Sequence, residues 1–120
     1  MGAVRVDLSG QAAVITGSTS GIGAALAGGL AKSGANIVLN GFGDAAEIEA
    51  LRARLETEHG VTVRYHGADM TKPAEIADLV DFTHSQFGRL DILVNNSGIA
   101  VTRRLTRDGE ALRWPGGVPD

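Results

Sequence analysis

The residues with the clearest chemical use are Thr16-Gly17-Ser18-Thr19-Ser20-Gly21-Ile22-Gly23, which follow an apolar run and precede an Ala-rich one. Glycines at G-x-x-x-G-x-G spacing between a strand and a helix suit a phosphate cradle. Gly17 turns the chain sharply, Gly21 offers no Cβ to obstruct a pyrophosphate, and Gly23 lets the helix lie near the strand. The free N–H groups and partial positive charge of the helix start then face the phosphates. An ordinary tight turn is the other reading of a glycine pattern alone, and the strand–turn–helix context favours binding. Further along, Asn40 stands where an acidic side chain commonly takes the adenosine ribose hydroxyls, and its amide can bond a hydroxyl with less discrimination. Neither Ser18-Thr19-Ser20 nor Asn40-Gly41-Phe42-Gly43 contains Arg or Lys. A 2′-phosphate would lack a local cation there, which favours NAD over NADP. Phe42 could pack an adenine face or be a core or surface aromatic. Asp69 could accept from the adenine amino group or cap the helix that follows. Asn95 and Asn96 end an apolar strand, at the carboxyl edge where open α/β sheets bind ligands, and Gly98 would allow close passage of a ribose.

The elements around these residues read as an alternation. Ala12-Ala13-Val14-Ile15, Ile37-Val38-Leu39 and Ile92-Leu93-Val94 are continuously apolar, as strands covered on both faces should be. Val61, Val63 and Tyr65 alternate with polar residues, the pattern of a half-exposed edge strand. Between these runs lie three helical stretches. The first covers Gly21 to Ser33, closed by Gly34, with Gly28 and Gly29 inside it at a cost of about 1 kcal/mol each against Ala. The second is capped by Asp44, carries Ile48, Leu51 and Leu55 on its apolar face and pairs Arg52 with Glu56 and Arg54 with Glu58. The third opens at Thr71 or Lys72 with Pro73 in its first turn and an Ile76, Leu79, Val80, Thr83, Phe87 stripe. The order β-α-β-α-β-α-β predicts an α/β fold, a Rossmann-type doubly wound parallel sheet of order 3-2-1-4, truncated after the fourth strand. Lacking a fifth strand, Ile92-Leu93-Val94 would leave an apolar open edge.

The expected organisation is a cofactor-binding half-domain over 1–99 and a tail over 100–120. The tail holds Arg103, Arg104, Arg107 and Arg113 and ends Pro115-Gly116-Gly117-Val118-Pro119. It reads as a phosphate patch or, by its composition, as a solvated and poorly ordered end. At 120 residues there is room for one domain. A net charge of −3 excludes a strong electrostatic case for nucleic acid or membrane partners. With no cysteine and no metal-like spacing among His59, His66 and His84, no metal site is expected. No run of about 18 apolar residues or secretory segment is evident, so a cytoplasmic location is the expectation.

Taken together these motifs resemble the short-chain dehydrogenase/reductase family. Its T-G-x-x-x-G-x-G pattern is met by Thr16 through Gly23, and its N-N-A-G motif by Asn95-Asn96-Ser97-Gly98 with Ser in place of Ala. Its adenine-binding Asp matches Asp69. The resemblance covers roughly residues 8–99 and implies cofactor contacts from Gly17, Thr19, Ser20, Gly21, Ile22, Phe42, Ala68, Asp69, Met70, Asn96 and Gly98. It implies an NAD-dependent oxidoreductase acting on a small-molecule hydroxy acid or ketone, in an enzyme that assembles as a homotetramer. The family's catalytic Ser and Tyr-x-x-x-Lys have no counterpart. Tyr65, the one tyrosine, is followed four residues on by Asp69 and reads as a packed edge-strand aromatic, and the lysines are Lys32 and Lys72. No catalytic residue is therefore assigned, and turnover by residues 1–120 alone is not expected. A non-catalytic nucleotide-binding module, or a relative acting on a sugar, polyol or acyl-carrier substrate, fits the same residues.

Overall fold

The structure is a computed structural model that describes residues 6–96. Its elements are β1 (Ala12–Ile15), α1 (Gly21–Lys32), β2 (Asn36–Asn40), α2 (Ala45–His59), β3 (Val63–His66), α3 (Pro73–Phe87) and β4 (Ile92–Val94). The four strands are parallel and ordered β3-β2-β1-β4, as expected. Within the sheet Val14 lies between Val38 and Leu93, and Asn40 lies opposite His66.

Strand periodicity divides the core into two layers. Ala13, Ile15, Ile37, Leu39 and Val63 face Ala27 and Ala31 of α1 and Leu55 of α2. Val14 and Val38 face the other way, against Ala68 and Met70 of the segment before α3 and Leu79 of α3 itself. Burying a Val, Leu or Ile side chain stabilises by roughly 1.5–3 kcal/mol, so both layers contribute substantially. The small residues of α1 allow its close approach: its buried face is Gly23, Ala27 and Ala31, while Gly28 turns toward Leu55 of α2.

Local signals set the element ends. Asp44 accepts from the Glu47 amide at 3.0 Å and starts α2, and Gly60 ends it at φ 65°. Pro73 opens α3 behind Lys72, and Gly88 stops it at φ 71°. The α3 stripe buries Leu79 and Thr83 fully, with Ile76 and Phe87 packed partly against them. β3 begins later than the alternation from Val61 predicts. The Thr62 carbonyl still accepts from Ile37, but the Thr62 amide turns to the Asn36 side chain, which removes it from the ladder.

The outer edge of β3 is covered by side chains rather than by another strand. Glu56 accepts from the Val63 amide at 3.0 Å, and Arg52 donates to the Val63 carbonyl at 3.2 Å. Arg52 also pairs with Glu56 and with Glu49, each at 2.6 Å, so it ties α2 to the edge of β3 as well as to its own helix neighbours. Arg54 and Glu58 are a loose 3.9 Å pair. On the opposite side, β4 has only β1 as a neighbour among the described residues, and Leu93 is 50% exposed. The segment 100–120 lies outside the described residues. No helix among the described residues is long and apolar enough to cross a membrane.

A carboxylate clips β1 to the start of β4. Asp91 accepts from the Ala12 amide at 2.8 Å and is gripped by Arg89 through two bonds of 2.7 and 2.8 Å. Arg89, and then the Ala12 amide, hold its carboxyl below the ordinary aspartate value. A depressed folded-state pKa means the unfolded chain binds the proton more readily, so stability rises with pH through this range. The contribution is complete above the ordinary aspartate value and is lost as pH falls through the depressed one. Asp91→Asn should therefore lower the unfolding midpoint at neutral pH and flatten the decline in acid. Thermal unfolding across pH reads this directly, and a variant that tracks the parent at every pH would show that the clip carries nothing.

Candidate functional site

All four strands deliver their carboxyl ends to one edge of the sheet, and the singled-out residues collect there. The β1–α1 turn has the conformation its glycines allow: Gly17 and Gly21 have φ 61° and 59°. A Cβ on Gly21 would meet nothing within 4 Å, so the space before the helix is open. A Cβ on Gly23 would stand 2.1 Å from the Gly17 carbonyl oxygen and 2.7 Å from Asn96 Nδ2. Gly23 therefore lets α1 press against the turn itself and the end of β4, a tighter constraint than the helix–strand approach expected. Ser20 occupies the N-cap position in extended backbone without a side-chain cap bond, and no acidic residue lies in the first turn. The first N–H groups of α1 are thus not taken by a neighbouring carboxylate. They face open space with the helix dipole behind them, an arrangement suited to phosphate. Ile22, the second residue of α1, is 75% exposed beside this turn.

Two buried hydroxyls hold this turn to its neighbours. Thr16 Oγ1 receives the Asn96 amide at 2.8 Å, and its backbone N–H donates to the Val94 carbonyl at 2.9 Å. Asn96 Nδ2 reaches the Gly17 carbonyl at 3.4 Å. Ser18 Oγ donates to the Ile15 carbonyl at 2.7 Å and accepts from the Asn40 amide at 3.0 Å, while the Ser18 amide donates to the Asn40 carbonyl at 2.7 Å. The turn is stitched to β2 on one side and to the end of β4 on the other.

Asn40, expected as a ribose ligand, also braces the chain after β3. It is 1% exposed, and its side-chain amide donates to the His66 and Ala68 carbonyls, each at 3.0 Å. The physical reason is its register: Asn40 shares the face of Val38, where the chain after β3 crosses over and needs its carbonyls satisfied. Ala68 and Met70 are core residues of the second layer, so what they present to a ligand is main chain. Phe42 is 70% exposed, so it is no core residue and its ring is open to the edge of the sheet. Asp69 is not the cap of α3, a position held by Lys72. Its Oδ1 accepts from Thr71 Oγ1 at 2.7 Å and from the Thr71 amide at 2.9 Å, and these bonds keep its carboxyl below the ordinary value. Asp69 thus stays an anionic acceptor at neutral pH, at the rim of the same edge. Gly98 lies outside the described residues.

Several working residues escaped the sequence reading. Thr16 and Ser18 stand in the motif, yet their buried bonds to Asn96 and Asn40 need the three-dimensional neighbourhood to be seen. Thr19 donates to the Phe42 carbonyl at 2.9 Å, tying the turn to the β2–α2 loop. Tyr65 packs against the first core layer as expected, and its hydroxyl additionally donates to the Gly41 carbonyl. His66 bonds Asp78 at 2.8 Å and accepts from the Ala68 amide at 3.2 Å, a structural role.

The parallel α/β order agrees with what comparison with known proteins finds. The short chain dehydrogenase family model matches residues 11–114, continuing beyond Ile99. The chain belongs to this family. It is 54% identical over 93 residues to the D-beta-hydroxybutyrate dehydrogenase of Cupriavidus necator, a match covering 77% of this chain and 35% of that protein. It is 53% identical over 95 residues to the enzyme of the same name from Rhizobium meliloti, covering 79% of this chain and 37% of the relative. The chain thus spans little more than a third of these relatives. Among solved structures, the L-sorbose reductase of Gluconobacter frateurii in complex with NADPH and L-sorbose superposes with a TM-score of 0.73 at 38% identity, covering 90% of this chain and 40% of that one. A metagenomic short-chain oxidoreductase in complex with NADP gives 0.68 at 36% identity, covering 76% of this chain and 40% of that one.

Proposed function

We propose that this chain is the cofactor-binding part of an NAD-dependent short-chain dehydrogenase that interconverts 3-hydroxybutyrate and acetoacetate. The carrying observation is the open, uncapped start of α1 behind Gly21. A pyrophosphate fits there between Ser20, Gly21 and Ile22, with Thr19, Phe42, Asp69 and the main chain of Ala68 and Met70 toward the adenosine and Asn96 toward the nicotinamide ribose. Bound there, the cofactor would supply or take the hydride. The chain's own residues bind and orient it, and none of them is assigned the substrate proton. Preference for NAD rests on the absence of any cation in Ser18–Ser20 and Asn40–Gly43. The substrate class rests on the likeness to the two hydroxybutyrate dehydrogenases. A cofactor-binding unit over 1–99, a tail over 100–120 and a cytoplasmic location belong to the same reading.

NAD titration of the full chain tests it. Micromolar binding, with NADP at least tenfold weaker, is the expected result, and Gly21→Val should abolish it. The valine side chain would stand in the phosphate space at a φ of 59° that it rarely adopts. Binding unaffected by Gly21→Val would place the cofactor elsewhere, and equal affinity for NADP would remove the NAD preference.

A further inference from the structure

We propose that Tyr65 is a positioning residue for the adenosine end of the site, fixing the β2–α2 loop that presents Phe42. This rests on the cofactor reading above. The loop has little stiffness of its own. Gly41 and Gly43, on either side of Phe42, sit at φ 144° and 151°, conformations essentially restricted to glycine. Nor does burial hold it, because Phe42 is 70% exposed. What holds it are two hydroxyls from different elements. Tyr65 Oη, from β3, donates to the Gly41 carbonyl, and Thr19 Oγ1, from the glycine turn, donates to the Phe42 carbonyl at 2.9 Å.

The surroundings are fitted to this arrangement. A Cβ on Gly41 would lie 2.8 Å from Thr19 Oγ1, so the loop passes directly over the turn. A Cβ on Gly67 would lie 3.0 Å from Tyr65 Oη, so the bare glycine after β3 leaves room for the hydroxyl. Tyr65 stands opposite Leu39 in the sheet, and its partly buried ring packs against the first core layer, which directs the hydroxyl toward the loop. Successive carbonyls of the loop are thus pinned from β3 and from the phosphate cradle. The pinned segment is the one whose lack of cations disfavours a 2′-phosphate, so Tyr65 acts on cofactor choice through Phe42 and the loop's main chain, without touching the ligand.

The test is Tyr65→Phe in the full chain, which keeps the packed ring and deletes the hydroxyl. Amide resonances of Gly41, Phe42 and Gly43 should shift or broaden while the unfolding midpoint changes little. NAD affinity should fall about threefold to tenfold, the scale of one lost hydrogen bond. The ratio of NAD to NADP affinity should fall with it, a change that a purely structural tyrosine would not produce. Gly67→Ala, which crowds the hydroxyl by one methyl group, should move the same resonances and guards against misfolding of the first variant. Unchanged loop resonances and an unchanged NAD to NADP ratio in both variants would overturn the proposal. A parent chain that binds no NAD, yet whose loop resonances move on Tyr65→Phe, would support the clamp while overturning the cofactor reading.

Discussion

Gly23→Ala is expected to destabilise the chain by about 2–3 kcal/mol, the upper part of the range for overpacking a close contact, and to abolish dinucleotide binding. The added Cβ would fall 2.1 Å from the Gly17 carbonyl oxygen, 2.8 Å from its carbon and 2.7 Å from Asn96 Nδ2. An amide tip can swing away, but a backbone carbonyl moves only with its turn. That turn has no slack. Thr16 is bonded to the end of β4, Ser18 is bonded to Ile15 and Asn40, and Gly17 between them is already at φ 61°. Relief must therefore come from lifting α1 off the sheet, which separates Ala27 and Ala31 from Ile15 and Ile37. The same movement carries the helix N-terminus away from the space in front of Gly21, so stability and binding fall together. Denaturant unfolding and NAD titration read the two effects. A Gly23→Ala chain with the parent's midpoint and NAD affinity would mean that α1 does not press on the turn.

The arrangement of the sheet was open to sequence reasoning because the strands announce their surroundings. Ala12–Ile15 and Ile37–Leu39 are apolar throughout since helices cover both faces, and the alternation around Val63 and Tyr65 marks the strand that a helix covers on one side and charged side chains fringe. The glycines that end helices, Gly34, Gly60 and Gly88, all take positive φ. The site was legible where its function is written in backbone, as at Gly17, Gly21 and Gly23. It was not legible where a polar side chain chooses between partners. Asn40 could face a ribose or a neighbouring carbonyl, and the choice depends on the path of residues 66–68, which no local pattern specifies. Asp69 could cap α3, but Pro73 fixes the first turn behind Lys72 and leaves the carboxylate to Thr71. Tyr65 was recognisable as a packed aromatic. The carbonyl its hydroxyl finds depends on a loop that can bend back only because Gly41 is at φ 144°.

Asn40→Asp separates two meanings of the same position. A ribose-binding role would have the new carboxylate improve NAD affinity, since a carboxylate is the usual acceptor for adenosine ribose hydroxyls there. The bracing role predicts the reverse. The donor nitrogen that now serves the His66 and Ala68 carbonyls, at 3.0 Å each, would be replaced by an acceptor oxygen in a position 1% exposed. Ionised, the carboxyl would repel both carbonyls. Protonated, it could donate to only one of them and orphan the other. A loss of roughly 3 kcal/mol at neutral pH follows from the unsatisfied carbonyls and the disfavoured charge. Burial against acceptors raises the pKa of the introduced carboxyl above its unfolded value, so the folded chain holds that proton more tightly than the unfolded one. The loss must then shrink as pH falls into the carboxylate range, the opposite slope to the one Asp91 imposes. NAD affinity should weaken as well, because the segment from His66 to Ala68, which leads into Asp69, loses its tie to Asn40. Unfolding measured against pH, beside NAD titration, reads both outcomes. Tighter NAD binding with undiminished stability at neutral pH would return Asn40 to the cofactor and end its role as a brace.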